Sequence, residues 1–102
     1  MTKVRCVGVT VPEFVEGEGR NFAARRLIQV VASAASGSQL PIAAAICEYY
    51  RGAYLAITDS VDESDGGFRS TVEGNVVRIF PNGEAYSGDS YIGRVEWTYG
   101  DD

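Results

Sequence analysis

Between Thr58 and Phe68 the sequence reads TDSVDESDGGF, which sets Asp59, Asp62, Glu63 and Asp65 within seven positions and no basic residue among them. Clustered carboxylates can chelate a hard cation, share a proton in acid–base work, or present negative charge to a basic partner. Chelation is the easiest to examine. Counted over twelve positions, Asp62 to Glu73 reads DESDGGFRSTVE and matches a calcium loop at its first, sixth and twelfth positions. The fifth position is Gly66, which offers no side-chain oxygen, and the eighth is Arg69 where an apolar residue belongs. The run predicts no metal site.

Acid–base chemistry is constrained by an absence. The chain has no histidine, so Ser-His and Cys-His pairs and the commonest general base are excluded. Lys3 is the only lysine and lies at the N-terminal end. Cys6 and Cys47 are both embedded in apolar runs, read as reduced core residues, and are too few for a structural zinc site. The glycine-rich run EGEGRNF follows a strand and opens a helix, but Phe22 stands where a dinucleotide loop needs its third glycine. The chain therefore reads as a non-enzyme without cofactor.

Presentation of charge is what remains. The net charge of −5 is unevenly spread, with a basic excess over residues 1–30 and eleven acids against four arginines over residues 31–102. Such a surface repels phosphate backbones, which argues against direct nucleic-acid binding and for a partner protein with a basic surface. Tyr49, Tyr50, Tyr54, Tyr86 and Tyr91 add the aromatic anchors typical of interfaces. Together with Asp59, Asp62, Glu63 and Asp65 they form the predicted partner-binding set. The predicted function is a small acidic inhibitor or adaptor that blocks a nucleic-acid-binding protein, a nucleic-acid mimic of the phage anti-defence type. The alternative is a small-molecule-binding domain or oligomeric subunit with its site between helix and sheet. Arg20, Arg25 and Arg26 read as local ion-pair partners of Glu13, Glu16 and Glu18.

These residues need a scaffold. A chain of 102 residues with 45% apolar content supports one domain, 1–102. Lys3–Val11 reads as a covered strand, and Ala23, Leu27, Val30, Val31 and Ala34 share one face of a helix. That helix is predicted to open at Asn21 and to close with Gly37 as a left-handed cap. Residues 43–50 and 53–58 read as a hairpin around Arg51-Gly52, with a second short helix at 41–51 as the alternative. Strand-like runs follow at 68–72, 75–80, 84–87 and 92–99, punctuated by Glu73-Gly74, Pro81-Asn82-Gly83 and Gly88–Ser90. The segment Asn82–Gly93 resembles one unit of a MORN-type repeat, but a single copy implies turn chemistry and no family. The predicted fold is α+β, one amphipathic helix on an antiparallel sheet of about five to seven strands. No stretch is long enough to span a membrane and no signal pattern is apparent, so the expected location is cytoplasmic. Exposed sheet edges leave a homodimer open.

Overall fold

The computed structural model describes residues 2–101. Strand β1 (Thr2–Thr10) leads into helix α1 (Glu18–Ala35) and helix α2 (Pro41–Tyr49). Strands β2 (Ile57–Asp62), β3 (Phe68–Val72), β4 (Asn75–Ile79), β5 (Glu84–Ser87) and β6 (Ser90–Asp101) then run as an antiparallel meander. The order across the sheet is β1-β6-β5-β4-β3-β2, so the first strand pairs with the last. Both helices pack on one face and carry the chain from one sheet edge to the other. This is the α+β fold expected from the sequence, with a second helix.

The strand alternation sorts the core. Phe68, Ser70 and Val72 of β3, Val77 and Ile79 of β4, Ala85 of β5 and Val95 of β6 are buried beneath the helices. Their neighbours Arg69, Arg78 and Tyr86 stand on the other face, where Arg69 pairs with Arg78 and Arg78 with Tyr86 across the ladder. On α1 the burial widens along the helix. Among its described residues before Val31, Leu27 alone is buried, whereas Val31 to Ala35 are all buried. The run of Ala32, Ser33, Ala34 and Ala35 is small enough for α2 to approach with Ala43 and Ile46. Ser33 satisfies itself at both ends. Its hydroxyl donates to Gln29 O at 2.7 Å and accepts from Leu55 N at 2.8 Å, tying the connector after α2 to α1.

Three local expectations are corrected. The hairpin over 43–58 is not formed: residues 41–49 are helical, and the strand begins only at Ile57. Pro41 is preorganised for the first helical turn, and three consecutive alanines then favour helix over the β-preference of the tyrosines. Helix α1 opens at Glu18 behind Gly17, placing Asn21 inside it with no side-chain cap. Gly37 is not left-handed. A Cβ there would lie 2.0 Å from Ser60 Oγ, so the glycine serves a close approach of β2 to the end of α1.

Both edge strands are irregular, with register shifts between Cys6 and Gly8 in β1 and between Thr58 and Val61 in β2. Bulges of this kind blunt an edge against pairing with another sheet. Cys6 and Cys47 are free thiols, Cys6 buried and Cys47 partly so, and burial pushes both up from the usual range.

Candidate functional site

The acidic run is largely occupied with the chain itself. Asp62 accepts from Ser38 Oγ, and from Gln39 N at 3.2 Å, and so fastens the loop before α2 to β2. Glu63 Oε1 lies 2.8 Å from Arg69 Nε and 3.0 Å from Arg78 Nη2. Asp65 Oδ1 accepts from Gly67 N at 2.9 Å. Asp59 is the left-handed residue of the β2 bulge, at φ 54°. Thr58–Asp62 is strand rather than loop, and the charge-neutralising arginines arrive through the β3–β4 hairpin. Asp62 and Glu73, the proposed ends of a calcium loop, are held the full length of β3 apart. Among the described residues no group of acids, cysteines or histidines is arranged to hold a metal.

The Arg78 guanidinium, then Arg69, holds the Glu63 carboxyl below its ordinary value of 4.5. A depressed carboxylate contributes stability above its unfolded value and loses it as pH falls through the folded value. Glu63→Gln is therefore expected to be less stable than the parent at neutral pH, with the gap closing below pH 4.5. Urea denaturation across pH 7 to about 3 measures it; a gap independent of pH would show that Glu63 acts through shape alone.

Tyr86 and Tyr91 adjoin one acid of the run, because Arg78 bonds Glu63 and lies opposite Tyr86 across the ladder. Tyr50 and Tyr54 meet edge-on at 5.6 Å in the connector after α2. Tyr86 and Tyr91 stand at 5.5 Å on the uncovered face of the sheet, beside Phe80 and Arg78. Tyr49 ends α2 above a hollow bordered by Lys3, Arg5 and Arg51. Of the nine predicted residues, Glu63, Tyr86 and Tyr91 thus gather around Arg78, while Tyr49, Tyr50 and Tyr54 lie at the end of α2 and in the connector after it.

A different site lies between α1 and the sheet. Ala23, Leu27 and Val30 of α1 face Leu55, Val72 and Ile92 across a hollow of about 420 Å³. Asn75 and Ser87 supply polar groups where the β3–β4 and β5–β6 turns meet its wall. Phe22, 68% exposed, and Arg26 form a ridge between this hollow and a second, of about 540 Å³, which Arg25, Gln29 and Tyr50 border. Both volumes fall within the roughly 300–1,000 Å³ of small-molecule sites. Arg26 donates to Gln29 Oε1 at 2.9 Å and lies 3.8 Å from Glu73. Gln29 is itself fixed through Nε2 to Ala53 O at 3.2 Å. Among the described residues nothing pairs with the Arg25 guanidinium. Arg20 bonds Pro12 O and Val15 O, while the side chain of Glu18, one of its expected partners, lies outside the described residues. Of the predicted site residues, only Tyr50 borders this ridge.

No protein-family model and no curated protein matches the chain. Solved structures do. The N-domain of HMA6, a copper-transporting P-type ATPase, superposes with a TM-score of 0.71 at 14% identity, covering 93% of this chain and 98% of that one. The chain has the fold of that N-domain. The catalytic domain of the CPx-ATPase CopB-B, described in its conformational changes upon nucleotide binding, gives 0.76 at 16% identity. That match covers 98% of this chain and 39% of the other, so the chain spans about two fifths of the CopB-B domain. A zinc-transporting PIB-type ATPase gives 0.74 at 14% identity, over 95% of this chain and 19% of that one.

This likeness overturns the expectation of a phage-type inhibitor and nucleic-acid mimic. The expected basic protein partner is corrected with it: the CopB-B domain is described upon nucleotide binding, and Asp62, Glu63 and Asp65 of this chain are bonded within its own fold. The alternative, a ligand site between helix and sheet, fares better. Among the described residues no helix is long and apolar enough to cross a membrane.

Proposed function

We propose that this chain is a binding module, without catalysis of its own, that takes a purine nucleotide in the groove between α1 and the sheet. The observation that carries it is an apolar slot with the Arg26 guanidinium on its rim and that of Arg25 on the adjoining hollow. A flat, weakly polar base gains from burial among Ala23, Leu27, Val30, Leu55 and Ile92. The amide of Asn75 and hydroxyl of Ser87 can read its edge, and exposed Phe22 offers an aromatic face. Arg25 and Arg26 present planar donor forks suited to phosphate oxygens. The likeness to a domain described in its conformational changes upon nucleotide binding supports the same ligand class. Two free thiols suit a reducing cytoplasm, where nucleotides are abundant.

Calorimetric titration with adenosine and its phosphates tests the reading. Saturable binding is expected. Replacing both Arg25 and Arg26 with Ala is expected to weaken the phosphorylated ligands at least about tenfold, since charged hydrogen bonds contribute roughly 1.5–3 kcal/mol each. Adenosine binding and melting temperature should hardly change, because both arginines are exposed. Equal affinity of parent and double variant for the nucleotides would refute the assignment.

A further inference from the structure

We propose that Glu73 sets the charge of the ligand this groove accepts, so that it takes a nucleoside monophosphate in preference to a di- or triphosphate; the inference rests on the nucleotide reading above. Glu73 and Gly74 form the two-residue turn between β3 and β4, closed by the Val72–Asn75 pair. Both are left-handed, at φ 47° and 86°. Asn, Asp and Gly adopt that turn most readily, and a glutamate there is out of keeping with the turn alone. Residues held in sparsely populated backbone regions cluster at functional sites.

The side chain gives the position its meaning. It lines the groove and stands 3.8 Å from Arg26, each of the two about half exposed. Arg26 is thereby held between Glu73 and Gln29, at the ridge where a phosphate would arrive. Among the described residues bordering the two hollows, Arg25 and Arg26 are the only cations, and Glu73 is the only acid. One phosphate can be met by the Arg25 fork and the outer edge of Arg26. Each further phosphate adds negative charge near Glu73 with no further cation to receive it. The carboxylate thus discriminates by repulsion, a mode in which specificity comes from penalising the wrong ligand.

The test is calorimetric titration of the parent and Glu73→Gln with AMP, ADP and ATP at low salt. The parent is expected to bind AMP at least as tightly as ATP. Glu73→Gln is expected to raise the ratio of ATP to AMP affinity about fivefold, the scale of one charge at a few ångströms in water. That gain should shrink as salt rises. A parent that binds ATP tenfold more tightly than AMP, or a variant with an unchanged ratio, would overturn this inference and leave the nucleotide site standing. Failure of either protein to bind any of the three would overturn the nucleotide reading, and this inference with it.

Discussion

Gly83→Ala is expected to destabilise the fold by about 3–4 kcal/mol, a fall in melting temperature of roughly 15–25 °C for a domain of this size. Gly83 is buried at φ 96°, in the turn that carries β4 into β5. A Cβ there would stand 2.2 Å from Val95 O, a backbone atom of β6 that cannot rotate away. The contact is fixed on both sides. Val95 N donates to Gly83 O at 2.8 Å, and Gly83 N donates to Phe80 O at 2.9 Å. Relief of the clash must therefore move β6 or break the turn. Gly74→Ala is the control, left-handed at φ 86° but with nothing within 4 Å of an added Cβ. It should lose only the conformational term, about 1 kcal/mol. Equal losses in the two variants, measured by chemical denaturation, would show that backbone conformation and not the approach of β6 makes Gly83 necessary.

The same turn shows what local pattern can reveal. Pro81-Asn82-Gly83 announces itself, because fixed φ, a side chain that caps its own backbone and freedom to be left-handed are properties of single residues. The meander and α1 are readable for a similar reason, since periodicity reports which side of an element meets the core. Helix α2 escapes that logic. It is nine residues long, too short for period to decide, and its tyrosines pull toward strand while Pro41 and the alanines pull toward helix. Docking of Ala43 and Ile46 against α1 settles the contest, and that is a tertiary fact.

Charge is harder to read than shape. Arg26 is close in sequence to Glu16 and Glu18, yet it reaches Glu73, which the β3–β4 turn brings across from the sheet. Glu63 looks unneutralised until strand register places Arg69 and Arg78 beside it. The groove is assembled from α1, the connector and four strands, so no stretch of sequence contains enough of it to form a pattern. Its one local signal is Phe22, an aromatic off the apolar face of α1 and open to solvent.

Phe68→Ala is expected to cost about 3–5 kcal/mol, the range for deleting a buried aromatic whose site cannot collapse. Phe68 is the largest of the fully buried side chains, with no exposed surface. It sits at the start of β3, paired with Asp62 on one side and Ile79 on the other. Gly67, just before it, has little room to shift into a void, since a Cβ on it would already stand 2.5 Å from Ile79 O. The acidic run TDSVDESDGGF thus ends in the residue that anchors its strand, and its carboxylates lie where that anchoring leaves them. Total stabilities of small domains are about 5–15 kcal/mol, so the variant should be near its folding limit. Phe68→Leu keeps most of the volume and should lose no more than about 1.5 kcal/mol. Phe68 does not border the groove, so the folded fraction of either variant should bind nucleotide with the parent's affinity. Urea denaturation supplies the stabilities and titration at low temperature the affinities. An alanine variant within about 1 kcal/mol of the parent would mean that β3 is held by its hydrogen-bonded ladder, with little contribution from this ring.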